Sequence, residues 1–553
     1  MSVDHVTFSI ITNAFLAIAQ EMSADLLRTA YSTVIREAAD ASTCLIDRHG
    51  RILAQAQNIP LHLNSVSPAI QGCLKVISKD SLTEDDVIIL NDPYSGGQHQ
   101  SDIYMFSPII YDGQPAAFSG SVGHYVDLGH SPGFNLYARD TFMERIRFTP
   151  MKFSLSRDWN GGLLEQLMRA NVRMPREVIG DMNAQLTANE TGRRRMKELF
   201  SKYGTAVVME AGERFIEYAA ERMNEAIRSI PPGTYVGEEQ VDDDGISDDP
   251  IRVSVVMKAD GSKLSLDFTG TGPQAKTAIN CPWASTTSSA LSVLKMILTD
   301  PSLPVNDGIY HSVSITAPIG TIVNPGPHAP VEGRNVVVMR IFQAVMKALA
   351  QAVPDKVAAT GYDTRTELSF HWAGDNQYVA VSDLYGGGYG AGPANDGADQ
   401  LDDPLGNCKN TPVESLEATQ PLFLVTRYEL RQDSGGPGEF RGGLGAVRCY
   451  EMLQDEVHMS VYSDRFKYPA DGLFGGHQGT CSYIRLVRAD GSEEMLRSKG
   501  ETLLHKGDYL EVGIGGGGGY GLPAKRDRSR VAQDVADGRV SPDAARQMYG
   551  WDG

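Results

Sequence analysis

Asp112-Gly113 stands between two apolar runs, DIYMFSPIIY and QPAAFSGSVG. An Asp-Gly pair closes a tight turn, so the segment reads as two strands joined there. A second hairpin precedes it: STCLIDRHGRILAQA places two short apolar runs around residues 47–50. VIILNDPY adds a strand that Pro93 ends. Upstream of all of these, Phe8, Ile11, Phe15, Ile18, Met22 and Leu26 recur at three- and four-residue steps. That stripe is the mark of a helix facing a core.

The periodicity then changes twice. Residues 161–229 are helical, with REVIGDMNAQLTANETGRRRMKELFSKYG ending on Gly204 and EAGERFIEYAAERMNEAIRSIPPG on Pro231-Pro232. From about 233 the pattern turns strand-like, as in IRVSVVMKADGSKLSLDFTGTG. NVVVMRIFQAVMKALAQAVPD is a further helix that stops at Pro354, and glycine-rich strands and loops follow. These elements predict an α+β, multidomain protein. Its helical N-terminal part carries a strand-borne site, and its C-terminal half is glycine-rich and contains β-structure. At 553 residues the chain exceeds one core. The divisions fall at 1–232, 233–330, 331–525 (read as α/β) and a charged, peripheral arm over 526–553.

Net charge of −19 argues against nucleic acid and anionic membranes as partners. No stretch has the length and apolarity of a membrane span. The N-terminal apolar run lacks a basic flank and a small-residue cleavage site, and reads as a helix of the mature protein. Six cysteines without a CxxC pair suggest reduced thiols in a cytoplasmic protein and argue against a cysteine zinc site.

Against that background, NDPYSGGQHQSD sets His99 three residues before Asp102, and SVGHYVDLGH carries His124 onto a later strand. Two imidazoles and a carboxylate suit zinc, manganese or iron(II), and three protein ligands leave positions open for water or substrate. Gly96 and Gly97 let the backbone fold tightly around an ion. A fourth ligand could come from Asp40, where a helix gives way to a hairpin. Asp127 and His130 compete with Asp102, and His62 reads equally as a core histidine, a ligand or an acid/base group. A His and an Asp three apart is by itself a common pairing. YGGGYGAGP and GIGGGGGYGLP are neither phosphate loops nor dinucleotide fingerprints and read as places of close backbone approach. No nucleotide-binding residues are therefore assigned. HExxH is absent.

NDPYSGGQHQSD together with GHYVDLG and SPG resembles the signature of the hydantoinase B family. QNIPLHLNSV, NAQLTANETGRRR, NTPVESLEA, YELRQDSGGPGEFRGGLG, SDRFKYPADGLFGG and GGGGGYG resemble further family blocks in the right order. The resemblance implies a metal bound by Asp40, His99, Asp102 and His124, zinc or manganese. It implies one subunit of an ATP-dependent cyclic amide hydrolase that opens a hydantoin, lactam or 5-oxoproline-like ring. A larger hydantoinase A-type partner would bind ATP with Mg2+ or Mn2+, in an α2β2 assembly, and in some members bicarbonate gives carboxyphosphate. His62 is then the candidate for proton transfer, and Asp127 and His130 for orienting ligands. Two departures stand out. The segment DDPLGNCKNTPVE lacks the histidine often found before NTPVE, and EAADAS lacks the arginine often found beside the first aspartate. The same resemblance covers ketone carboxylase subunits of the acetone and acetophenone type, and a non-catalytic scaffold is the third reading.

Overall fold

A computed structural model describes residues 3–553 apart from 57, 131, 132, 311, 375 and 376, and the backbone alone of Leu63. Gln57 and the Ser131-Pro132 pair of the family blocks thus lie outside the described residues. The N-terminal unit is built on a six-stranded antiparallel sheet of β1 (Ala41–Asp47), β2 (Ile52–Gln55), β3 (Asp86–Leu90), β4 (Asp102–Tyr111), β5 (Gln114–His124) and β6 (Met151–Ser154). Its order is β2-β1-β5-β4-β3-β6. The β4–β5 turn has positive φ at both Asp112 (51°) and Gly113 (72°), the requirement of a two-residue hairpin turn.

Both faces of this sheet are covered. Val87, Ile89, Ile103 and Met105 pack with Val178 and Met182 of the helix Pro175–Tyr203. The alternate residues Ile88, Leu90, Tyr104 and Phe106 pack with Val66, Ala69 and Ile70 of the helix Val66–Leu74. Strands buried on both sides read as continuous apolar runs. The polar residues of NAQLTANE also have a structural use. Gln185 Nε2 donates to the Ile103 carbonyl at 3.0 Å, and Asn189 Nδ2 to that of Met105 at 3.1 Å. The helix is thereby fixed in register over β4.

The middle unit holds β7 (Gly233–Val241), β8 (Ile251–Ala259), β9 (Leu264–Asp267) and β10 (Val313–Thr316), in the order β10-β9-β8-β7 with β9 and β10 parallel. The expected boundary at 330 needs correction. It assigns the helix Asn335–Ala352 to the third segment, yet Val336, Val337, Ile341 and Val345 share a core with Val253, Val255 and Met257 of β8. A helix apolar on nearly every side must be enclosed, and this sheet supplies one of its walls.

Beyond it, strands from residues 366 to 513 form a four-stranded and a five-stranded sheet whose inner faces share one core. The third segment is thus a β-sandwich carrying the short helix Val413–Thr419, where an α/β unit was expected. The glycine-rich stretches cross at one end of it, backbone against backbone: Gly388 N donates to Gly515 O at 3.2 Å, and Gly517 N to Gly443 O at 3.0 Å. A Cβ on Gly388 would lie 1.9 Å from the Gly443 carbonyl oxygen. Overpacking of this kind costs about 1–3 kcal/mol, and a backbone neighbour cannot simply turn aside. Gly388→Ala is expected to lower the stability to denaturant by that much, and an unchanged midpoint would refute the close approach.

The arm over 526–553 is more closely tied than expected. Arg526, only 3% exposed, binds Asp396 at 2.6 Å and Asp534 at 2.7 Å. Its helices Arg528–Ala536 and Pro542–Tyr549 bury Val531, Ala545 and Tyr549. All six cysteines are unpaired. Among the described residues no helix is long and apolar enough to cross a membrane.

Candidate metal centre

The sheet order brings the ends of three neighbouring strands to one place. Asp102 opens β4 and His124 closes β5, and the two residues are direct cross-strand partners. Such a pair holds its Cβ atoms about 5 Å apart. Asp40 immediately precedes β1, and its carbonyl accepts from His124 N at 3.1 Å. His99 sits one turn ahead of Asp102, whose N donates to the His99 carbonyl at 3.1 Å. Spacing that looked remote in sequence is therefore one sheet edge.

The loop leading to His99 is shaped by its own residues. Asp92 caps the turn Pro93–Ser95, accepting from Ser95 Oγ at 2.6 Å. Gly96 has φ of 111°, and a Cβ there would meet the Pro68 carbonyl oxygen at 2.3 Å, so only glycine fits. Asn91 Nδ2 donates to the carbonyls of Gln100 and Ile146 at 2.7 and 2.9 Å.

At the centre, Asp102 Oδ1 lies 2.9 Å from His99 Nε2 and 3.0 Å from His124 Nδ1. One ligand atom from each of these residues falls within 4.8 Å of the others, a spacing that could hold a metal ion. Asp40 lines the same cavity. His62 stands between the two aspartates, its Nε2 3.7 Å from Asp40 Oδ1 and 3.6 Å from Asp102 Oδ2, while Ser42 Oγ lies 3.5 Å from Nδ1. Ile59, Leu61, Val338 and Met339 make the apolar wall. The free space is about 10 Å³, on the order of one water or one ion.

Two arginines that sequence reading missed hold the outer oxygens. Arg334 Nη2 donates to Asp102 Oδ2 at 2.9 Å, and Arg365 Nη1 to Asp40 Oδ2 at 3.1 Å. The guanidinium at Asp40 thus comes from a distant segment, where the neighbouring EAADAS carries none. Arg365 also binds Asp402 at 3.3 Å and approaches Asp403 at 3.7 Å, both from the segment that lacks the expected histidine. Neither arginine has a local pattern that would reveal it.

The electrostatics suit a cation. Burial pushes the Asp102 carboxyl up, but His99, Arg334, the hydrogen bond from His124 and the nearby His62 outweigh it and hold it well below the usual range. Burial likewise opposes Arg365, His124 and His62 at Asp40, which ends lowered. Burial and Arg334 push His99 down and keep its imidazole neutral. His124 is pulled down by burial but driven to about 9 by its bond to Asp102 and the charges of Asp40 and Glu367. A site that draws a proton onto a buried histidine is short of positive charge. Asp40, Asp102 and Asp402 outnumber Arg334 and Arg365, and burial with Asp402 pushes the Asp403 carboxyl up to about 7, so the cavity carries negative charge in excess of its two arginines. One divalent ion fits that surplus, and the neutral imidazole and ionised carboxylates are the forms that ligate.

Asp127 and His130 are not brought here, and neither lines the cavity. The Asp127 carboxylate accepts from Gly129 N at 3.1 Å and Met174 N at 3.0 Å, and from Arg173, so it anchors the start of the helix Pro175–Tyr203. His130 is an exposed residue with φ of 48°. Their nearness in sequence to His124 was misleading because the chain leaves the sheet edge directly after β5.

Fold and site together define a metal-centre-like cavity at the edge of an α+β protein. The chain belongs to the hydantoinase B/oxoprolinase family, whose model matches residues 4–523. A protein of Pseudomonas sp. (strain NS671), assigned as the B-type component of a D-/L-hydantoinase, is 32% identical over 99% of this chain and 95% of that one. The β-subunit of the Pseudomonas jessenii caprolactamase is 30% identical over 99% of this chain and 96% of its own. The crystal structure of the ATP-dependent caprolactamase from that organism superposes with a TM-score of 0.89 over all of this chain and 96% of that chain, at 29% identity. A nucleotide-free acetone carboxylase structure shares the fold, with a TM-score of 0.87 at 18% identity over 99% of this chain and 79% of that chain.

Proposed function

We propose that this chain is the metal-bearing subunit of an ATP-dependent cyclic amide hydrolase acting on a hydantoin, lactam or 5-oxoproline-like ring. The observation that carries the reading is the convergence of Asp40, His99, Asp102 and His124 at three adjoining strand ends, lining one small cavity. Family membership and the subunit names of the relatives support the reaction class and a partner subunit, which we take to be the larger, ATP-binding one.

A ring amide is a weak electrophile and its nitrogen a poor leaving group. ATP spent in the partner would activate the ring or a bicarbonate. Asp40, His99, Asp102 and His124 would hold a zinc or manganese ion, which would supply a Lewis acid for a carbonyl oxygen and a water of lowered pKa. The chain's own groups do the rest. Arg334 and Arg365 occupy the outer carboxylate oxygens of Asp102 and Asp40, leaving each aspartate one oxygen for the cavity. His62, beside Asp40 and Asp102 and within a water's reach of the cavity, would carry the proton to the leaving nitrogen. The apolar wall of Ile59, Leu61, Val338 and Met339 excludes bulk water.

The test is ADP release by the chain with its partner, across lactams, hydantoins and ketones, with and without bicarbonate. Ring-opened product with stoichiometric ADP is expected. Carboxylated ketone as the sole product would transfer the site to a carboxylase. The isolated chain, which has no phosphate-cradling loop at a helix start, should show no ATP binding in the micromolar range by calorimetry. Micromolar affinity would place the nucleotide on this chain and overturn the division of labour with the partner.

A further inference from the structure

His99 can ligate through Nε2 only if its ring proton sits on Nδ1, so whatever faces Nδ1 decides whether the ligand is available. That atom faces one residue twice. The backbone carbonyl of Glu332 lies 3.3 Å away and the Glu332 Oε2 carboxylate oxygen 3.6 Å away. Glu332 is 6% exposed, and Oε2 has no hydrogen-bond partner among the described residues. The other oxygen is fully engaged: Oε1 accepts from Ser101 Oγ at 2.6 Å and from Arg145 Nη2 at 3.4 Å.

The segment that presents Glu332 is itself held from behind. Glu144 Oε1 accepts from Val331 N at 2.7 Å and from Glu332 N at 2.8 Å, and Gly333 N donates to the Ala278 carbonyl at 2.7 Å. Two residues further on, the same segment delivers Arg334 to Asp102. One short stretch, VEGR, therefore holds two of the cavity's principal residues, His99 and Asp102.

We propose that Glu332 is a positioning residue of the metal centre, turning its carbonyl and its unpartnered carboxylate oxygen to His99 Nδ1 so that the ring presents Nε2 as a ligand. The inference rests on the reading that His99 binds the ion. A carboxylate behind a ligating histidine fixes the ring's tautomer and orientation, and its loss weakens metal binding by about 10- to 100-fold. The carbonyl survives any substitution, so the side chain's share is what a variant measures.

The experiment uses the full chain and Co2+ as the probe, in competition with a chromophoric chelator, with the visible Co2+ absorption recorded on the bound form. Glu332→Ala is expected to weaken Co2+ by about tenfold or more and to move the absorption band. Glu332→Gln, which keeps the shape and an oxygen for Ser101 but loses the charge, is expected to show a smaller loss with the same sense of shift. The isosteric variant keeps the test decisive if the alanine variant folds poorly. Wild-type affinity and an unmoved band in the variants, whatever their thermal stability, would reduce Glu332 to a packing residue. No Co2+ binding by the wild type would instead bring down the metal reading itself and this inference with it.

Discussion

In the proposed complex with an ATP-binding partner, Asp102→Ala should abolish product while ADP release continues. Asp102 Oδ1 lies between His99 Nε2 and His124 Nδ1, and its loss opens the middle of the ligand set. It also removes the carboxylate partner of Arg334, whose Nη2 keeps Gln98 Oε1 at 3.0 Å. A Lewis acid is worth several kcal/mol of charge stabilisation, so product formation should fall by about a thousandfold or more. Nothing in this change touches a nucleotide site on another subunit, so ADP should still form with water or bicarbonate as acceptor. Measuring ADP and organic product in the same tube decides the matter. Normal product yield would remove the chemistry from this cavity and favour a scaffold.

The second large effect concerns removal of the ion. A chelator should drop ring opening by a similar factor, and added zinc or manganese should restore it. The excess of buried carboxylates over arginines makes the emptied site costly, because like charges stay close in a medium of low polarity. Restoration should therefore come with a higher unfolding temperature, since an ion that binds only the folded chain stabilises it by mass action. Full activity after exhaustive chelation, with no metal left by elemental analysis, would contradict the proposal.

The parts of this picture that sequence revealed are the parts governed by neighbours along the chain. Asp112-Gly113 defined β4 and β5, and those strands carry Asp102 and His124. The spacing of His99 and Asp102 marked the site because one loop holds both. Arg334, Arg365 and Glu332 were invisible, since each arrives from a segment more than 200 residues from the group it serves. Asp127 was misassigned for the opposite reason: it is close to His124 in sequence, but its carboxylate is turned to backbone amides at a helix start. The helix Asn335–Ala352 was placed with the wrong unit because an apolar helix does not say which sheet it covers. The glycine-rich segments gave composition without partners, and only their mutual packing explains why a side chain is not tolerated.

The most direct test of the central claim is the metal content of the purified chain, wild type against His99→Ala with His124→Ala. The three-residue cluster loses two of its members in that variant, leaving Asp102, with Asp40 alongside. We expect close to one divalent ion per wild-type chain and none above background in a variant that stays folded by circular dichroism. Full occupancy in the double variant would show that the ion, if bound, is held elsewhere.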